Sequence, residues 1–266
     1  NDTVVQSMKL PLSIPQFVTI REDAAAFDQV LADLSLTALK NDLISKTKEV
    51  CDALLVDANV RTIWQLGSFT EVTPAHIPAN MITVATIKNR LAAGNRTFGQ
   101  TNQAPGEVGN IVPNRTIDVF PGAYDEPMGG GAFSDTELDT ETQALMIQLE
   151  SQGVGGDPAL ESFAVDVYGR LIGETLAHEI VHALLWDIVI QDGHNDPSIN
   201  NDIMNSGSQR TFTQRTGFVD DAHQSPVVPA NFSDNGIAAI NRLQALNLSR
   251  MDANFPVPGT RVSAFK

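Results

Sequence analysis

The chain has 266 residues, 42% of them apolar, and carries 32 acidic against 17 basic side chains, a formal net charge of −15. This is enough apolar material for one large core, or for a main domain with a smaller appendage. The missing cationic face argues against nucleic acid or an anionic membrane as partner, and a single cysteine, Cys51, excludes an intrachain disulfide framework.

In chain order, residues 22 to 57 place Phe27, Val30, Leu31 and Leu34 on one side at helical spacing, which predicts one or two helices. Cys51 falls in this apolar pattern and reads as a packed core thiol. The stretch RTIWQLGSFTEVTP, rich in β-branched and aromatic residues and closed by Pro74, predicts a strand. MITVATIKNRLAAG predicts an extended or mixed segment, and TNQAPGEVGNIVPN a loop leading into a short strand, RTIDVF, at 115–120. An acidic loop around Gly129, Gly130 and Gly131 follows. It offers Asp125, Asp135 and Asp139 to a calcium ion, without the ordered ligand spacing of an EF-hand, against the plainer expectation of a solvated loop.

ELDTETQALMIQLES predicts a helix, and SQGVGGD breaks it. Asp157 and Pro158 then read as the N-cap and first position of a long helical pattern, interrupted by Gly169 and Gly173, with two histidines near its end. No repeat is visible, and no apolar run approaches the roughly 20 residues of a membrane-spanning helix.

Those histidines carry the chemistry. Residues four apart share a helix face, so His178 and His182 can aim their imidazoles at one metal ion while Glu179 stands beside it to take a proton from water. A catalytic zinc takes three protein ligands and keeps one position open. A downstream glutamate cannot serve, because all eleven glutamates lie at or before Glu179. His194, directly after the turn-forming Gly193, is the expected third ligand. Asp187, Asp192 and Asp196 are carboxylate alternatives, His223 is a weaker candidate, and nothing around His76 suggests a ligand.

His178-Glu179-x-x-His182, a glycine turn with a third histidine, and Met204 in NDIMNSG together resemble the metzincin clan of zinc endopeptidases. NFSDNGIAAINRLQAL, at 231–246, resembles the C-terminal helix of matrixin-like catalytic domains, so the likeness spans roughly residues 160–246. It implies an α+β, zincin-like fold: a small twisted sheet with antiparallel edges and backing helices, an active-site helix and a C-terminal helix. It implies one catalytic Zn2+, a methionine turn at Met204 forming an apolar floor, and a protein or peptide substrate.

The chain departs from the clan pattern at Leu185 and Ile188, where glycine and the third histidine are usual. A helix running on to Gln191 would carry His194 about 13 Å past His182 along its axis, so the chain must bend back. Some metzincins have a tyrosine just after the methionine turn; both tyrosines here, Tyr124 and Tyr168, precede the motif, so the resemblance implies that oxyanion stabilisation would fall to the zinc.

The expectation is a zinc endopeptidase with a catalytic domain at 61–266 and an N-terminal helical region at 1–60, either part of that domain or a pro-segment. A zincin-fold binding or structural module without proteolytic activity, and a non-peptidase zinc amidohydrolase, are the alternatives. Acidity and the lack of disulfides suit a secreted or extracytoplasmic enzyme of bacterial-like composition. The substrate would lie extended along a sheet edge, for which RTIDVF is the expected strand.

Overall fold

A computed structural model describes residues 16–23, 25–33, 36–56, 60–75, 77, 82–89, 97–102, 116–121, 156–185 and 203. The expected helices at 137–151 and 231–246 and the acidic loop with Asp125, Asp135 and Asp139 lie outside the described residues. The elements run β1 (Gln16–Glu22), α1 (Ala26–Asp33), a 3-10 turn (Thr37–Leu39), α2 (Lys40–Leu55), β2 (Val60–Leu66), β3 (Phe69–Thr70), β4 (Ile82–Ile87), β5 (Gly99–Asn102), β6 (Thr116–Val119) and α3 (Pro158–Leu185).

The architecture is mixed α+β, built among the described residues on a six-stranded mixed sheet of order β3-β2-β1-β4-β6-β5. Its four inner strands are parallel, and the two outer ones, β3 and β5, pair antiparallel with their neighbours. Parallel neighbours need a crossover, and α1 and α2 lie on the one that joins β1 to β2. The antiparallel β3 needs only a two-residue turn, where Gly67 takes a left-handed φ of +59°.

Residues 22–57 thus form two helices, while the preceding segment supplies β1, seated between β2 and β4 in the middle of the sheet. RTIWQL is a strand, as its composition predicts. RTIDVF is a strand too, but not the edge: β6 is paired on both sides, with Val84↔Thr116 toward β4 and Gly99↔Val119 toward β5. Among the described residues the edge on this side is β5, which takes the first two residues of the expected loop, Thr101 and Asn102.

One apolar cluster fills the space between sheet and helices, drawing Val18 and Ile20 from β1, Trp64 from β2, Ile87 from β4 and Ile117 from β6 against Phe27, Ile44, Leu55, Leu171 and Ile180. Cys51 sits wholly buried in it, and burial pushes its thiol well above the usual range, which keeps it unreactive. Among the described residues no helix is long and apolar enough to cross a membrane.

The helix that carries the histidines is α3. Asp157 caps it, its Oδ1 accepting from the backbone N–H groups of Ala159 and Leu160 at 3.0 and 3.2 Å, and Glu161 reaches back to the N–H of Gly156 at 2.9 Å. The helix runs unbroken for 28 residues through Gly169 and Gly173. Those glycines are contact points rather than interruptions: a Cβ on Gly173 would stand 2.7 Å from the Thr47 carbonyl oxygen, and one on Gly169 would stand 2.5 Å from Lys46 Cγ. Their absent side chains let α2 lie directly against α3, with Lys46 bridging to Asp166 at 2.9 Å.

Candidate metal centre

His178, Glu179 and His182 occupy the C-terminal part of α3, where residues 179–183 are all buried and His178 is partly exposed. The helical repeat brings the two imidazoles together: their ring centroids are 4.4 Å apart, the planes are nearly perpendicular at 87°, and the two Nε2 atoms are separated by 2.9 Å. Two nitrogens bound to one tetrahedral zinc, each at about 2.0–2.1 Å, stand about 3.3 Å apart. A small outward rotation of either ring therefore gives the chelating geometry, and the pair fits a metal ion.

The tautomer of His178 follows from its partner. Nδ1 contacts the backbone carbonyl oxygen of Ile203, and a carbonyl can only accept, so Nδ1 carries hydrogen and Nε2 presents its lone pair toward His182. In the metal-free protein the hydrogen between the two Nε2 atoms comes from His182. A metal ion must displace it, so binding is coupled to the movement of a proton. Ile203 is itself fully buried in the core cluster.

Glu179 points toward the edge strand. Thr101 Oγ1 lies 2.8 Å from Glu179 Oε2 and 2.8 Å from the Glu179 carbonyl oxygen. With the carboxylate ionised the hydroxyl donates to Oε2; with it protonated the carboxyl donates to the hydroxyl, which turns to the carbonyl. Gly99, two residues earlier, shows the same face of β5 to the helix. A Cβ there would stand 2.6 Å from Glu179 Cγ and 2.8 Å from Oε1.

Burial drives the Glu179 carboxyl from the usual 4.5 up to about 7; the Thr101 hydrogen bond opposes this, and the negative charge of Asp118 adds to it. Asp118, on β6, is buried and held by Lys88 at 3.0 Å, with Gln100 Nε2 at 3.4 Å.

The helix thus brings together three of the residues singled out in the sequence, His178, Glu179 and His182. His194 and its alternatives Asp187, Asp192, Asp196 and His223 lie outside the described residues, as do Met204 and His76. Among the described residues no group of three His, Cys, Asp or Glu side chains converges as a metal cage. Sequence reasoning missed Thr101, Gly99 and Ile203. Thr101 and Glu179 are 78 positions apart, and no local pattern in GQTN marks a strand that touches the helix carrying the histidines.

Comparison with family models, with curated proteins and with solved structures returns no match for the chain.

Proposed function

We propose that the protein is a zinc-dependent endopeptidase of metzincin-like design. The observation that carries this reading is the pair of Nε2 atoms 2.9 Å apart on one helix face, with the intervening Glu179 carboxyl held against β5, the last strand of the sheet among the described residues. Two neutral imidazoles suit zinc. The Ile203 carbonyl is the kind of outer partner that orients a ligating histidine. Ile203 immediately precedes Met204, so its contact with His178 supports a methionine turn close beneath the site.

His178 and His182 would hold the metal, with His194 as third ligand. When bound, zinc supplies Lewis acidity toward a peptide carbonyl and acidifies water at neutral pH. Glu179 does the proton work. Oε2 is engaged by Thr101, which leaves Oε1 to accept a proton from the attacking water and return it to the amide nitrogen as the C–N bond breaks. Among the described residues β5 ends the sheet beside Glu179, and its outer edge suits an extended peptide paired by main-chain hydrogen bonds. Sheet position therefore favours β5 over RTIDVF for this role. The mixed sheet with antiparallel edges and backing helices supports the zincin-like reading. The place of β1 in mid-sheet favours residues 16–56 as part of the catalytic body rather than a pro-segment.

The test is a casein and peptide-library digest by the purified protein, with metal analysis. About one zinc per chain and loss of cleavage to a chelator are expected. Glu179→Ala should lower turnover at least 10²–10⁴-fold, the usual contribution of a positioned base, with zinc still bound. Cleavage at the wild-type rate by that variant, contaminating protease excluded, would overturn the mechanism.

A further inference from the structure

We propose that Thr101 is a positioning residue for Glu179, one that fixes the carboxylate through Oε2 and ties the proton-transfer group to the strand along which a peptide would lie; this rests on the peptidase reading above. A glutamate side chain has three rotatable bonds, and in a helix nothing intrinsic holds its carboxylate in one orientation. Here one hydroxyl reaches two oxygens of the same residue, each at 2.8 Å. A hydroxyl has one hydrogen to give: with the carboxylate ionised it goes to Oε2, and Oγ1, held by β5, fixes that oxygen, while the helix carbonyl takes the hydrogen only when the carboxyl is protonated. Gly99 makes the approach possible, because any side chain there would occupy the space of Glu179 Cγ.

The carboxylate is therefore confined between Gly99 and Thr101, with Oε1 left for water. Both restraining residues stand on β5, whose other edge is the proposed peptide-pairing edge. A peptide that pairs with β5 is placed in register with the base through a single strand. Misplacement of a reacting group by about 1 Å costs up to about 10²-fold in rate, so a lost hydroxyl should be read in kcat rather than in substrate binding.

Thr101→Val removes the hydroxyl and keeps the shape, and Thr101→Ser restores the hydroxyl. The expected result is a kcat about tenfold lower for Thr101→Val, with KM within about twofold, zinc per chain unchanged, and Thr101→Ser close to wild type. Thr101→Ala takes the place of the valine variant if that variant does not fold. A second measurement needs no turnover: the unfolding midpoints of metal-free wild type, Thr101→Val, Glu179→Ala and the double variant. If the hydroxyl grips the carboxylate, the two single losses exceed what the double variant loses. A Thr101→Val enzyme with wild-type kcat, or additive midpoints, overturns the proposal. A wild-type protein that cleaves no peptide sinks the peptidase reading instead, and the midpoints then decide the tether alone: coupling supports it and additivity overturns it.

Discussion

At the residue scale, the buried carboxyl of Glu179 makes the stability of the metal-free protein depend on pH. Its folded pKa, about 7, lies above the 4.5 of an unfolded chain. Below pH 4.5 the carboxyl is neutral in both states and its burial costs little. Between 4.5 and 7 the unfolded chain releases the proton and the folded one retains it, so stability falls as pH rises through that interval. At about 1.4 kcal/mol per pH unit, the loss comes to about 3 kcal/mol, or about 8 °C in melting temperature for a chain of this size. In chelator-treated protein, melting temperature should drop by about this much from pH 4.5 to 7.5 relative to Glu179→Gln, which cannot ionise. Parallel pH profiles for the two proteins would show that the carboxyl is not buried as described. The same crowding makes Gly99→Ala informative: with Cβ 2.6 Å from Glu179 Cγ, it should displace the carboxyl and, on the proposed mechanism, lower kcat about tenfold or more, a loss that a kinetic comparison with wild type reads directly. The two histidines and Glu179 were legible in the sequence because helical periodicity alone puts them together. Thr101 and Gly99 were not, because their relation to Glu179 exists only once β5 packs on α3.

At the element scale, the orientation of α3 depends on how closely α2 approaches it. Gly169 and Gly173, four residues apart, share the face turned to α2. An alanine at 173 gains about 1 kcal/mol of helix propensity, yet its Cβ meets the Thr47 carbonyl oxygen at 2.7 Å and Val50 Cβ at 3.0 Å, neither of them the movable end of a long chain. Overpacking of that kind costs about 1–3 kcal/mol. At 169 the Cβ meets Lys46 Cγ at 2.5 Å and Lys46 Cβ at 2.6 Å, and since Cβ is placed by the backbone, α2 must shift there too. Urea unfolding should therefore show Gly173→Ala and Gly169→Ala both destabilised by about 1–3 kcal/mol; a stabilised variant at either position would mean the helices are not in contact there. In the sequence the same glycines look like breaks, since propensity carries no information about a neighbouring helix. The central strand β1 escaped notice for a related reason. Phe17, Val18, Thr19 and Ile20 are all buried, and a strand covered on both faces shows no alternation from which to recognise it. The short edge strand β5, GQTN, lacks the branched and aromatic residues that mark RTIWQL.

At the scale of the whole molecule, the metal links parts of the chain that are distant in sequence. The sheet sets the position of α3, on which His178 and His182 would be two ligands, and the Ile203 carbonyl, from downstream, contacts the first of them. A metal that binds only this assembled state must stabilise it. At a free concentration 100-fold above Kd the gain is about 2.7 kcal/mol, which for a chain of this length raises the melting temperature by roughly 5–10 °C. Zinc should produce that rise in the wild type and in Glu179→Gln, which keeps both imidazoles, and should fail to do so in His178→Ala or His182→Ala. Adding the third-ligand variants then distinguishes the donors. His194→Ala should weaken zinc about 100-fold or more, a loss at least as large as that of an outer-sphere partner, and abolish the thermal shift, whereas Asp187→Asn, Asp192→Asn and Asp196→Asn should keep it. If instead one of the aspartate variants loses zinc and His194→Ala retains it, the turn after Gly193 does not deliver the ligand and the resemblance to the metzincin pattern fails at its third position. The unfolding transition followed with and without zinc reads every variant on one scale, and it needs no substrate.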